Sequence, residues 1–329
     1  MIVGRSLAIR RAVELAERFA ATHLPVLLAG ATGTGKELFA QHIHRLSGRR
    51  GPMVDVNCGA LPRDMTESLL FGHRRGAFTG ACESTVGHVG RADGGTLFLD
   101  ELQSLVPDTQ VKLLRVLETG EIQPLGTGAK HGVDLRIVAA VQEDIAADLE
   151  AGRFRRDLYQ RVAGVVIELP PLSARPEDVP LLAEHFAGLQ GQRIEPGAEQ
   201  VLLGYTWLGN VRELRLAIER AGALVANGTL PAHVLAEAIR LGAPAGLDPG
   251  APGEASRHPL DVRTRDGLLR TLREQNWSTE RAAAALGLGR TAFFKRLRVA
   301  GISLRNEQRF AKYAKYMNEL NAAIDGQAH

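Results

Sequence analysis

Gly30-Ala31-Thr32-Gly33-Thr34-Gly35-Lys36-Glu37 is the stretch on which the fold turns. Ahead of it runs Leu24-Pro25-Val26-Leu27-Leu28-Ala29, a short apolar strand pattern, and behind it Glu37-Leu38-Phe39-Ala40-Gln41-His42-Ile43 has helical spacing. A glycine-rich turn between a strand and a helix lets backbone N–H groups point inward. The helix N-terminus adds positive potential there, and Lys36 reaches the terminal phosphates of a nucleotide. The pattern ordinarily sets Ser or Thr after the lysine to hold Mg2+, and here Glu37 stands in that place.

Outward from this turn, short apolar runs recur at Met53–Val56, Thr96–Leu99, Leu135–Val141 and Val165–Leu169, with helical patterns between them. Strands alternating with helices predict an α/β core with a parallel sheet covered on both faces. Beyond Pro176 the pattern turns to helices alone, at about 177–188, 196–204, 210–226 and 231–240. The expected organisation is an α/β core over 1–172, a helical subdomain over 173–240, a Gly/Pro-rich linker over 241–260, a small all-α domain over 261–304 and a tail over 305–329.

The chain has 329 residues, 45% hydrophobic and 23% charged, which excludes wholesale disorder and allows two or three domains. No apolar run reaches the roughly 18 residues that cross a bilayer, and Met1 to Ser6 is no signal peptide, so a cytoplasmic protein with no membrane partner is expected. Cys58 and Cys82 cannot form a disulfide framework and lack the paired spacing of a zinc site. His42 and His44, two apart, fall on different faces of a helix. The net charge of +3 hides a division, because Asp261 to His329 holds thirteen Lys/Arg against seven Asp/Glu, or +6, and the residues before it carry −3.

Gly94-Gly95-Thr96-Leu97-Phe98-Leu99-Asp100-Glu101 is a strand ending in two carboxylates. Either these cap a helix as solvated acids, or Asp100 binds Mg2+ and Glu101 polarises an attacking water; the upstream phosphate cradle favours the second. Phe154-Arg155-Arg156-Asp157-Leu158-Tyr159-Gln160-Arg161 sets two arginines six apart. They serve either as surface ion pairs or as residues reaching a neighbour's γ-phosphate in an oligomer. In Gly76-Ala77-Phe78-Thr79-Gly80-Ala81, a lone aromatic among small residues is either an exposed contact tip or folded inward.

In the basic part, Thr279 to Leu286 is a strong helix former, Gly287-Leu288-Gly289 a tight turn, and Arg290 to Ala300 a second helix. This reads as a helix-turn-helix offering Arg290, Thr291, Lys295, Arg296 and Arg298 to DNA, or as an ordinary helical hairpin with solvated charges.

Taken in order, the Gly30–Glu37 turn, the Gly76–Ala81 loop, the Gly94–Glu101 strand, Phe154–Arg161 and Gly209-Asn210-Val211-Arg212-Glu213-Leu214 resemble the AAA+ bacterial enhancer-binding proteins, ATP-driven activators of sigma-54 RNA polymerase. The resemblance covers residues 2 to about 304, and the GAFTGA loop is its most specific part. It implies ATP and Mg2+ as cofactors, a P-loop of Gly30, Ala31, Thr32, Gly33, Thr34, Gly35, Lys36 and Glu37, Lys36 on the β/γ-phosphates, Asp100 on Mg2+ and Glu101 as the hydrolytic carboxylate. Glu37 then has its family place after the lysine. Asn57 matches the switch asparagine that pairs with that glutamate, Arg155 and Arg161 the trans-acting fingers, Arg212 the second sensor, and Ile2-Val3-Gly4 the segment against adenine. Gly76, Ala77, Phe78, Thr79, Gly80 and Ala81 match the sigma-contacting loop, and the basic segment resembles a Fis-type domain for upstream enhancer DNA. Trans-acting arginines imply a homo-oligomer, from dimer to hexameric ring.

The first-sensor strand reads Ala139-Ala140-Val141-Gln142 where the family usually ends Ala-Ala-Thr-Asn, and Leu208 stands where a proline is common. Loss of that hydroxyl keeps open an alternative, a DNA-binding regulator whose nucleotide is an assembly switch independent of sigma-54. With the ATPase segment beginning at Ile2, an N-terminal regulatory domain is not expected within this sequence, and either control falls to a separate regulatory protein, to expression level or to the tail, or the sequence is a truncated part of a longer one. There Phe310, Tyr313, Met317, Leu320 and Ile324 recur at helical spacing.

Overall fold

The computed structural model describes residues 2–142, 145–225 and 228–242, and in the C-terminal part 268, 271, 272, 275, 277–286, 293 and 297. Two compact units divide at Pro252 and Gly253.

The first unit is built on a five-stranded, wholly parallel sheet in the order β2-β3-β6-β1-β7. Its strands are β1 (Val26–Ala29), β2 (Met53–Asn57), β3 (Thr96–Asp100), β6 (Arg136–Val141) and β7 (Val165–Glu168). Two-residue strands β4 (Glu121–Ile122) and β5 (His131–Gly132) pair antiparallel in a hairpin between β3 and β6. The central strands are buried on both faces, so they read as unbroken apolar runs rather than as alternation. Pro25 precedes β1, having no N–H for the ladder, yet its carbonyl accepts from Val165 at 3.0 Å.

Alternate residues along each strand feed two cores. Leu27, Leu97, Leu99 and Ala139 face a cluster completed by α3 (Thr66–Phe71), α4 (His88–Arg91), α5 (Pro107–Thr119), α6 (Ile145–Glu150) and α7 (Arg156–Val162). Val26, Leu28, Phe98 and Val138 face the other, formed with α1 (Leu7–Ala20) and α2 (Lys36–Leu46). Arg136, 1% exposed, carries its guanidinium out of β6 to the carbonyls of Phe19, at 2.7 Å, and Thr22. Those acceptors lie at the C-terminal end of α1, where carbonyls lack helical donors. Burial, then the charge of Arg49, pulls the Arg136 pKa down to about 10, which leaves the group charged at neutral pH.

After β7 the chain forms α8 (Val179–Leu189), α9 (Glu199–Leu203), α10 (Asn210–Leu224) and α11 (Ala232–Gly242), with a small parallel pair, β8 (Arg193–Ile194) and β9 (Thr229–Leu230). Their core gathers Leu182, Trp207, Leu214, Ile218 and Leu235. The architecture is thus a parallel-sheet α/β core with a helical lid.

In the second unit Thr279–Ala285 is helical, with the Ser278 hydroxyl accepting from the Arg281 N–H as an N-cap. Ala282 and Ala283 bury against Leu268, Leu272, Phe293 and Leu297. Arg290, Thr291, Lys295, Arg296 and Arg298 lie outside the described residues, as do 243–260 of the linker and the amphipathic tail. Among the described residues, no helix is long and apolar enough to cross a membrane.

Candidate nucleotide-binding site

The phosphate cradle stands where β1 ends and α2 begins. Gly33 and Gly35 take φ of +80° and +106°, and α2 starts at Lys36 with Gly35 as its cap residue. Lys36 Nζ donates to the carbonyls of Gly30, at 2.7 Å, and Ala31, at 3.1 Å, which holds the ammonium across the loop. A cleft of about 290 Å³ opens beside it, and Gly33, Lys36, Glu37, Asn57, Asp100, Glu101 and Arg212 share its wall.

Parallel pairing puts Asn57 and Asp100 in register at the ends of β2 and β3. The next residue, Glu101, has φ 51°, in the left-handed region that an L side chain enters at a cost of about 1–2 kcal/mol. Its N–H donates to Asp100 Oδ1 at 2.9 Å. A Cβ placed on Gly59 would lie 2.2 Å from Glu101 Oε2 and 3.3 Å from Asn57 Oδ1, so carboxylate and amide both face that glycine. Asn57 Oδ1 accepts from the Ala60 N–H at 3.0 Å.

The carboxylates crowd one another. Asp55, which keeps contact with solvent, has its pKa raised, first by loss of part of its hydration and then by the charges of Glu37 and Asp100. Such repulsion suits a divalent cation. Among the described residues no three His, Cys, Asp or Glu side chains form a metal site by themselves. Carboxylates are the ligand type that Mg2+ takes together with phosphate oxygens and water. Cys58, between these acids, has its pKa pushed up to about 12 by burial first and then by Asp100 and Glu101, so it is an inert small hydrophobe.

At the other end of the loop lies a smaller, mostly apolar pocket with Ile2, Val3, Leu38, Phe39, Leu182 and Phe186 in its wall. Arg175, 2% exposed, completes it; its pKa is lowered by burial, against the favourable charge of Asp178 3.8 Å away. Asp178, fully buried, also accepts from the N–H groups of Arg5 (2.6 Å) and Ser6 (2.8 Å) and from the Ser6 hydroxyl (2.7 Å). The segment holding Ile2 and Val3 is thereby tied to the start of the lid.

The lid touches the cradle directly. A Cβ on Gly33 would lie 2.2 Å from the Gly209 carbonyl. Gly33→Ala combines that clash with an unfavourable φ and is expected to destabilise the unit by about 2 kcal/mol, a fall in Tm of about 4–8 °C by calorimetry. An unchanged Tm would show that this approach of lid and loop is not needed. Val141, buried at the end of β6, and Gln142 complete the cleft, and Gly30 donates to the Val141 carbonyl at 3.3 Å.

The two arginines sit apart from this cleft. Arg155 precedes α7 and makes a two-pronged, exposed ion pair with Asp157, at 3.0 and 2.7 Å. Arg161, in the last turn of α7, donates to the Leu117 carbonyl at 3.0 and 2.6 Å. In the Gly76–Ala81 loop, Gly76 donates to Ala81 at 2.9 Å and Ala81 to Phe78 at 3.0 Å. The loop base is fastened by a His73–Thr85 bridge and by Arg74 N–H on the Leu125 carbonyl. Phe78 is 41% exposed with its ring tilted against His73 at 5.0 Å, which lies between the two expected placements. Thr79 is exposed.

A family model for the Sigma-54 interaction domain matches residues 2–168, and one for the AAA+ ATPase lid domain matches 173–249. The chain belongs to the Sigma-54 interaction domain family of AAA+ proteins. It is similar to the C4-dicarboxylate transport transcriptional regulatory protein DctD of Rhizobium meliloti, 39% identical over 92% of this chain and 65% of the relative. The transcriptional regulatory protein ZraR of Klebsiella oxytoca is 40% identical over 90% of this chain and 68% of its own length. Among solved structures, NtrX from Brucella abortus in complex with ATP superposes with a TM-score of 0.68 at 30% identity, covering 92% of this chain and 70% of that one. The chain spans from 48% to 65% of the length of the first curated relatives it matches.

Asn210, Arg175, Asp178 and Asp55 have no role in the sequence reading. Asn210 stands inside a quoted motif, where nothing in the sequence marks its left-handed φ of 55°. Arg175 and Asp178 face each other three residues apart, but the partners that give them a role, Thr34, Arg5 and Ser6, lie more than 140 residues away.

Proposed function

We propose that this chain is the ATP-hydrolysing motor of a sigma-54-dependent transcription activator, working as a homo-oligomer bound to upstream DNA. One observation carries the reading: in a member of this family, Lys36, Asp100, Glu101 and Arg212 meet in one cleft. Lys36 binds the β- and γ-phosphates, Ile2 and Val3 lie against adenine, and Glu101 polarises the attacking water. Asp100 would hold Mg2+, which would supply charge neutralisation at the transferring group. Arg155 and Arg161 leave their partners in the protomer to stabilise charge in a neighbour's site, and Arg212 reports the phosphate state to the lid. Glu101 and Asn57, side by side at Gly59, respond to loss of the γ-phosphate, and the strand ends pass the change to the GAFTGA loop, where Phe78 and Thr79 meet the sigma factor. DNA is held by Arg290, Thr291, Lys295, Arg296 and Arg298.

An in vitro transcription assay with sigma-54 polymerase tests the whole reading. Open complexes are expected with ATP and not with a non-hydrolysable analogue. Activation that needs neither hydrolysis nor sigma-54 would favour the assembly switch independent of sigma-54, a reading that Val141, with no hydroxyl to offer the γ-phosphate, supports.

A further inference from the structure

Three consecutive carbonyls of the phosphate loop are each taken by a donor from the lid or from the segment leading into it. Asn210 Nδ2 donates to Thr32 at 3.0 Å, the Val211 N–H to Gly33 at 3.0 Å, and Arg175 Nη2 to Thr34 at 3.3 Å. In a trans peptide the N–H opposes the C=O. Carbonyls turned toward the lid therefore turn the N–H groups of Gly33, Thr34 and Gly35 to the concave side of the loop. The Thr34 N–H reaches across that side to the Ala31 carbonyl at 3.4 Å. Inward N–H groups are what recognises a phosphate.

We infer that Asn210 and Arg175 are positioning residues for phosphate binding, which fix the loop's amide orientation from behind, Arg175 doing so from the wall of the apolar pocket. Both side chains are 2% exposed and committed at their far ends. Asn210 Oδ1 accepts from the Leu172 N–H at 2.7 Å, and Arg175 faces Asp178. The Arg175 Nε finds no hydrogen-bond partner, so its burial is not explained by full satisfaction of its own donors. Of these three carbonyls Gly33 is held by backbone, which leaves Thr32 and Thr34 as the two that a side chain from the lid side holds. The lid is then part of the phosphate site before any nucleotide closes it. This inference rests on the nucleotide-binding reading above.

The test is a titration of the full chain with a fluorescent ATP analogue, with ATP, ADP and adenosine as competitors. Asn210→Gly keeps the left-handed backbone and removes the amide. It is expected to weaken ATP and ADP about tenfold, the size of one lost hydrogen bond to a preorganised site, while adenosine binds as in the parent. Arg175→Lys is expected to shift the same ratio in the same direction. A role in folding alone would lower Tm without changing the ratio of ATP to adenosine affinity, and an unchanged ratio overturns the inference. If Asn210→Gly shows no melting transition, Arg175→Lys decides by the same ratio, and unfolding of both assigns the residues to the fold alone. A parent chain that fails to bind ATP would sink the site reading itself, whereas a parent that binds ATP with variants that match it would sink only this inference.

Discussion

Glu101→Gln is expected to bind ATP as tightly as the parent chain and to hydrolyse it about a thousandfold more slowly, the usual worth of a positioned general base. The substitution keeps size and hydrogen-bonding reach and removes only the charge that polarises water. The backbone explains why no nearby group can substitute. Glu101 is held at φ 51°, with its N–H on Asp100 Oδ1, and its carboxylate lies beside Gly59. Strain of this kind persists where the surroundings over-determine it, here at the junction of a fully buried strand and the turn after it. Phosphate release together with a nucleotide titration checks both halves of the expectation. Turnover within tenfold of the parent would take Glu101 out of the hydrolytic role.

Thr79→Ala has the second large effect, on the output and not on the fuel. The Gly76–Ala81 loop is fastened through main-chain bonds at Gly76, Ala77 and Ala81, none of which needs the threonine hydroxyl. The fold and the ATP cleft are therefore expected to survive, with hydrolysis within about twofold of the parent, as for surface substitutions in general. Open-complex formation with sigma-54 polymerase is expected to fall at least about thirtyfold, the loss of one interface hot spot. Unchanged open-complex yield in a footprinting assay would remove the loop from the sigma-factor contact.

The sheet was legible because its chemistry is local. Thr96–Leu99 and Leu135–Val141 are unbroken apolar runs, as strands buried on both faces require, and the structure puts strands at Thr96–Asp100 and Arg136–Val141. The glycine turn announced the cradle for the same reason, since its left-handed glycines, the start of α2 and Lys36 all fall within eight positions. The lid helices were legible in number and less so at their ends. The expected start near 177 becomes Val179 because Pro176–Asp178 forms a short 3-10 turn and the Asp178 carboxylate turns to Arg5 and Ser6 instead of capping the helix. What stayed hidden depends on contacts between distant segments. Asn210 gains its meaning only when Thr32 arrives 178 residues away in sequence, and Asp55 only when the sheet sets it near Glu37 and Asp100.

Helix α1 is fastened at both ends to different bodies. Arg136 clamps its last carbonyls to the sheet, and Ser6, its N-cap, is bonded to Asp178 at the root of the lid. Fourteen residues of helix make a rod about 21 Å long. Between those ends Ile9, Ala12 and Ala16 bury in the core shared with the sheet and α2, so the helix is held along its whole length. Any swing of the lid about its root must therefore work against the bonds that Asp178 makes to Arg5 and Ser6, a tether additional to the lid's own contacts with the phosphate loop.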